Sequence, residues 1–157
     1  MPSHSEKKIL NYSQKQLFDL VSDIDSYEEF LPWCLASRVT EKEKNIIKGD
    51  LVIGFKMFRE KFSSEVTLVN YNQIDVNFIK GPFKYLKNRW IFVPHEEQEK
   101  TTIDFFIDFE FKSKILEKII GNVFNSAVKK MISAFEKRAE EVYGIKNKLL
   151  DVSTNLD

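Results

Sequence analysis

Residues 103–111 read Ile-Asp-Phe-Phe-Ile-Asp-Phe-Glu-Phe, and the chain then runs almost directly into an apolar-striped stretch of about thirty residues. Ile103, Phe105, Ile107, Phe109 and Phe111 alternate, so they share one face of a strand. Beyond them Leu116, Ile120, Phe124, Ala127, Met131, Phe135 and Val142 recur at helical spacing, which predicts one helix over 113–143. An aromatic strand face followed by a long one-sided helix calls for a sheet that grips a helix. The rest of the chain has to be compatible with that pairing.

Residues 7–12 alternate weakly and predict a first strand. Ser13 stands three before Gln16, a capping-box pattern that starts a helix with Leu17, Phe18 and Val21 on its buried side. Asp25 and Ser26 begin a second short helix, which ends at Leu31 because Pro32 disfavours helical geometry in the residue before it. Segments 35–41, 45–55, 58–70, 73–80, 84–94 and 100–112 then alternate with period two or are rich in β-branched and aromatic residues. Tyr71-Asn72 and Gly81-Pro82 are turn chemistry, and such short links make sequential strands antiparallel neighbours. The predicted fold class is α+β. It has one antiparallel sheet of about seven strands, two short helices after the first strand, and a long C-terminal helix. A chain of 157 residues is read as one domain, 1–144, with a polar tail, 145–157, expected to be disordered.

The apolar parity of each strand sets the face turned to the helix. It selects Leu51, Ile53 and Phe55; Phe58, Phe62, Val66 and Leu68; Ile74, Val76 and Phe78; and Leu86, Trp90 and Phe92. The opposite parity carries Arg59, Lys61 and Glu65, Lys87 and Arg89, and Asp104, Asp108 and Glu110. One dry face and one wet face suit a single antiparallel sheet covered on one side. Periodicity alone favours a packed core under the helix over the wall of a cavity. Glu60, Ser64 and Asn88 interrupt the inward parity. Buried polar groups need partners, so these three are candidate polar contacts to a ligand, unless a β-bulge turns them to water.

Composition excludes more than it selects. Lys plus Arg and Asp plus Glu number 24 each, so the chain lacks the basic excess of a dedicated nucleic-acid binder, and no DNA partner is expected. One cysteine, Cys34, forbids an internal disulfide and fits a reducing compartment. No apolar run approaches the ~20 residues of a membrane span, and the N-terminus lacks a signal-peptide core. The expected location is cytoplasmic, peripheral to the inner membrane if it touches membrane at all. His4 and His95 have no Cys or His at ligand spacing, so no metal site is expected. The carboxylates of Asp104, Asp108 and Glu110 are read as cross-strand partners of Lys87 and Arg89. No catalytic residues are assigned, and the chain is not expected to be an enzyme.

Several stretches, taken in order, resemble one family. They are Tyr27-Glu28-Glu29-Phe30-Leu31-Pro32-Trp33-Cys34, Asp50-Leu51-Val52-Ile53-Gly54-Phe55, Phe58-Arg59-Glu60-Lys61-Phe62, and Gly81-Pro82-Phe83 with Leu86, Asn88, Trp90 and Phe92. Asp108-Phe109-Glu110-Phe111 and Ile120-Gly121-Asn122-Val123-Phe124 complete the set. The set resembles the coenzyme Q-binding family of START-like domains, polyketide cyclase-like proteins whose sequences overlap with the ribosome association toxins. The resemblance implies a helix-grip fold, a curved sheet around the long helix, with a hydrophobic tunnel. Phe55, Phe58, Phe62, Phe83, Leu86 and Trp90 on the sheet, Phe109 beside them, and Val128, Ile132 and Phe135 on the helix are then expected to line it. Tyr27, Phe30, Leu31, Pro32 and Trp33 are expected at the tunnel mouth, where transient contact with a membrane surface is possible. The implied ligand is ubiquinone, held without a covalent bond, in support of respiratory electron transport. The alternative implied by the same resemblance is a toxin that binds the large ribosomal subunit and blocks subunit joining.

Overall fold

The computed structural model describes residues 3–55, 57–96 and 99–144. The tail expected at 145–157 lies outside the described residues. Seven strands form one sheet: β1 (Ser3–Leu10), β2 (Cys34–Glu43), β3 (Ile46–Phe55), β4 (Phe58–Val69), β5 (Gln73–Lys80), β6 (Phe83–Pro94) and β7 (Thr101–Phe111). Their order is β1-β7-β6-β5-β4-β3-β2, with every neighbouring pair antiparallel. The sheet is curved, and the architecture is the expected α+β helix-grip fold. β1 and β2 are the two edges, so the chain between them has to cross the whole sheet. That crossing is made by α1 (Gln14–Ser22), a single turn of 3-10 helix (Ile24–Ser26) and α2 (Tyr27–Phe30).

Local chemistry sets these elements. Ser13 Oγ accepts from the Gln16 amide at 3.1 Å, and Gln16 Oε1 accepts from the Ser13 amide at 2.9 Å, closing the capping box read in the sequence. Leu31 is extended (φ −75°, ψ 132°), as a residue before proline should be. β1 begins four residues earlier than its apolar pattern suggested, because an edge strand needs only backbone partners. Ser3–Glu6 pair with Asp108–Phe105, and their inward side is polar, the half-buried His4 and Glu6, with the His4 ring 6.4 Å from Phe124. Tyr12, placed in that strand by its pattern, instead lies beyond it, with its hydroxyl donating to the Gly144 carbonyl at 2.8 Å.

The expected single helix is two, α3 (Lys114–Gly121) and α4 (Phe124–Tyr143). Gly121 weakens the helix there, and Val123 leaves helical geometry at φ −119°, ψ 3°. The break re-phases the buried stripe. In α4 it comprises Phe124, Val128, Ile132, Phe135 and Ala139, while Val142 is exposed. A one-residue bulge at Lys84 lets Phe83 and Leu86 both point inward although they are three apart.

Two aromatic groups lie between sheet and helix. Phe83 centres the first, with ring centroids of Phe62, Phe78, Phe109 and Phe111 at 4.8–5.6 Å. Phe124 closes it from α4 at 5.0 Å from Phe109. Phe135 centres the second, with Tyr27, Phe30 and Trp90 at 5.1–5.5 Å. The first group packs ring against ring and reaches open space only through Phe62, while the second borders that space with Tyr27, Trp90 and Phe135.

Candidate functional site

The open space is a cavity of about 150 Å³ between α4, the crossing segment and the middle of the sheet. Its floor is built from small and aliphatic side chains of β3, β4 and β5. Gly49 and Ser64 are directly paired across β3 and β4, and both face inward. That pair removes the volume of two large side chains from one spot on the floor. Leu51, Val66, Ile74 and Val76 surround it. Trp90 and Leu86 from β6 and Ile107 from β7 form one wall; Met131 and Phe135 from α4 form the roof. Ile24, Tyr27 and Leu31 from the crossing segment close the remaining side.

No charged side chain among the described residues lines the cavity. Its polar atoms can be counted one at a time. The Tyr27 hydroxyl donates to the Val21 carbonyl, and burial pushes its pKa well above the ordinary tyrosine value, with Asp23 adding to the shift. Trp90 Nε1 donates to Asn88 Oδ1 at 3.0 Å, and Asn88 Nδ2 donates to the Phe106 carbonyl at 2.8 Å. Ser64 is 7% exposed, and its hydroxyl has no hydrogen-bond partner among the described residues. Every fully enclosed side-chain nitrogen or oxygen among those residues is bonded, so Ser64 Oγ must face open space, and the space it borders is the cavity. The site is therefore an apolar, aromatic-walled hollow with one free hydroxyl on its floor.

The predicted residues divide clearly. Phe62, Leu86, Trp90 and Phe135 line the cavity, as do Ser64 and Asn88 among the polar candidates and Tyr27 and Leu31 from the expected mouth. Phe83 and Phe109 belong instead to the solid aromatic group. Val128 and Ile132 are core residues of α4. Phe55 and Phe58 face each other at the turn end of the β3–β4 hairpin, away from the cavity, and Trp33 packs on Phe55 at 6.3 Å. Phe30 forms a layer behind Tyr27, with the Arg138 guanidinium 5.1 Å over its ring. Pro32 is not on the cavity wall. Glu60 keeps the inward parity, since the β3–β4 register is unbroken and no bulge turns it out, but it lies short of the cavity and is half-buried. Ile24, Gly49, Leu51, Val66, Ile74, Val76, Ile107 and Met131 line the cavity without having been expected there.

Among the described residues there is no group of three or more His, Cys, Asp or Glu able to hold a metal ion. Burial, and then the nearby Glu28 carboxylate, push the Cys34 thiol up, so it is held as a thiol and not as a nucleophilic thiolate. No helix among the described residues is long and apolar enough to cross a membrane.

An apolar hollow gripped between a curved antiparallel sheet and a C-terminal helix is the mark of a lipid-binding START-like protein. The chain belongs to the polyketide cyclase / dehydrase and lipid transport family, whose model matches residues 10–136. It is 47% identical over 146 residues to the ribosome association toxin RatA of Rickettsia prowazekii, covering 90% of this chain and 99% of that one. It is 34% identical over 144 residues to the mitochondrial coenzyme Q-binding protein COQ10 homolog B of Xenopus laevis, covering 90% of this chain and 59% of that one. The solution structure of an 18 kDa protein of Caulobacter crescentus, 35% identical, superposes with a TM-score of 0.73 over 92% of this chain and all of that one.

Proposed function

We propose that this chain binds a ubiquinone-like ligand, without catalysis, by enclosing the ring and leaving the prenyl tail outside. The observation that carries this reading is the free Ser64 hydroxyl in an otherwise apolar, ring-walled cavity. A quinone carbonyl is an acceptor of the right kind for that hydroxyl, and its ring can pack against Trp90 and Phe135. Size limits the reading. A cavity of about 150 Å³ is in the range that holds one benzene-sized molecule, and well below the ~300–1,000 Å³ of pockets that enclose whole ligands. A substituted ring fills it, and a polyprenyl tail does not fit beside the ring. A ring pocket, and not the long tunnel that the resemblance implies, is therefore the site this proposal takes. The 34% identical coenzyme Q-binding relative supports the same ligand class.

The test is organic extraction and mass spectrometry of the full chain purified from cells that make prenylated quinones. The expected result is a quinone close to one per chain, lost on Ser64→Ala together with Val76→Phe. A chain that carries no quinone, and cannot be loaded with one, overturns the proposal.

A second reading, association with the ribosome, is supported by the 47% identical relative of that name. Sedimentation of the chain with ribosomal subunits at moderate salt tests it, and it is independent of the cavity.

A further inference from the structure

The strand order gathers one set of chain segments at a single end of the sheet. β3 ends and β4 begins there, with Phe55 paired to Phe58 and Met57 at the tip between them. β2 starts beside them, with the Gly54 amide donating to the Trp33 carbonyl at 2.9 Å. β5 ends, β6 begins and β7 ends at the same level. Phe83 pairs with Phe111, and the Lys112 amide donates to the Pro82 carbonyl at 2.8 Å. The chain then turns directly into α3. Gly81, at φ 145°, ties this level together: a Cβ there would lie 2.5 Å from Phe62 Cβ.

Two kinds of side chain project from this end. Met57 is 95% exposed and Ile115, in the first turn of α3, is 69% exposed, the two most exposed large hydrophobics of the described chain. The start of β4 and the end of β7 are three strands apart, roughly 14 Å at ~4.8 Å per strand, so both fit under one flat surface. Around them stand Arg59, Lys80, Lys84, Lys112, Lys114 and Lys118, all exposed. Lys84 pairs with Glu110 at 3.1 Å; the other five have no ion-pair partner among the described residues. The sequence total of zero net charge hides this cluster, in which six cations stand against three acids: Glu110, paired to Lys84, Glu117, which accepts from the Phe111 amide, and the half-buried Glu60. The opposite end also exposes apolar residues, Ile46, Val69 and Val93, but Glu41, Lys42, Glu43 and Lys44 leave it without a dominant charge.

Exposed apolar tips inside a ring of unpaired cations match a bilayer whose surface is anionic: the tips enter the headgroup layer and the cations meet its charge. Nucleic acid would use the cations but has no use for Met57 and Ile115. We propose that this end of the sheet, built from the β3–β4 hairpin tip and α3, docks the protein on an anionic lipid bilayer. The surface is separate from the cavity and does not depend on what the cavity holds.

The experiment is co-sedimentation of the full chain with vesicles of phosphatidylcholine alone and of phosphatidylcholine with 30% phosphatidylglycerol (roughly a third anionic, enough to give the surface potential on which docking depends). Binding is expected only to the anionic vesicles and should weaken as salt is raised. Trp33, beside Phe55 at this end, should shift its fluorescence to the blue on binding. Reversing Lys112, Lys114 and Lys118 to Glu should weaken binding on the order of a hundredfold, about fivefold or more per cation. Met57→Asp with Ile115→Asp should also abolish it, whereas Val93→Asp at the opposite end should not. These sites are exposed, and unchanged melting temperatures confirm that each variant is folded. The proposal is overturned if wild type ignores anionic vesicles or if Val93→Asp weakens binding as much as the double variant. It is equally overturned if the cations matter while Met57 and Ile115 do not, the pattern of a ribosomal RNA contact.

Discussion

The Phe83 group and the Phe135 group both reach helix α4, lie over the same face of the same sheet, and are rich in the same residue. One is solid and the other is hollow. The difference lies in what each ring finds opposite it. Around Phe83, strands β4 to β7 supply Phe62, Phe78, Phe109 and Phe111, and α4 supplies Phe124, so each ring meets the edge or face of another. Around Phe135 and Trp90, the floor opposite is Gly49 paired to Ser64, with valines and isoleucine beside them. Aromatic content therefore decides nothing by itself. A cavity forms where large side chains on one wall face small ones on the other.

The comparison can be broken first at its solid end. Phe83→Ala should cost about 3–5 kcal/mol, the usual range for emptying a packed aromatic site. Denaturant unfolding measures it, and quinone affinity should move little. A cost under ~1 kcal/mol would mean the cluster is not the packed region described.

At the hollow end, Tyr27→Phe leaves the buried Val21 carbonyl without its donor and should cost about 1–3 kcal/mol. The same variant has a signature in pH. Burial raises the folded-state pKa of Tyr27 above the ordinary value near 10. Its contribution is then fully present below about pH 10 and is lost as pH rises through the raised folded value. Stability of wild type should fall above pH 10, and less steeply in Tyr27→Phe. Tyr12 and Tyr143, whose pKa values are also raised by burial, keep part of the slope.

Val76→Phe sharpens the contrast. An added ring in a packed core costs about 1–3 kcal/mol, but here it enters empty space, so the change should stay within ~1 kcal/mol while quinone binding is lost. Calorimetric titration beside a thermal melt separates the two effects. The smallest effect is expected from Arg138→Ala, which removes a cation over Phe30 and a 3.3 Å contact to Glu29. Partly exposed interactions of this kind contribute about 0.5–1 kcal/mol. Its readout is faster quinone release, since Phe30 backs Tyr27 at the cavity edge.

The fold was legible because it rests on signals that are local. Alternation through β3 to β7, the Ser13–Gln16 capping box and the Leu31-Pro32 stop each act within a few residues. The break at Gly121–Val123 is local too, but three weak helix residues were outweighed by a strong apolar stripe on both sides. The cavity was not legible, because alternation reports only which face a residue occupies. Volume depends on register. Had the hairpin been pivoted on the turn between Phe55 and Phe58, Gly49 would have fallen opposite Ser64, and the small-on-small pair would have marked the hollow. Aromatic character and inward parity point Phe55 and Phe58 to the tunnel, and Trp33 is expected at its mouth, yet all three sit at the sheet end, a position set by strand length. The gathering of cations from β4, β5, β6 and α3 at that end is not legible in the sequence for a related reason. They come from four separate segments that only the strand order brings together.

The central claim is that the hollow, and not the aromatic content, is the ligand site, with Ser64 as its polar contact. Titration of the full, isotopically labelled chain with a short-tailed benzoquinone, followed by amide and indole NMR, tests it most directly. Shifts are expected at the Ser64 and Gly49 amides and the Trp90 indole, with Phe83 and Phe111 silent, and Ser64→Ala should weaken binding by about 1 kcal/mol or more, roughly five- to tenfold. Shifts confined to the Phe83 group or the molecular surface, with Ser64 and Trp90 unmoved, would contradict the account.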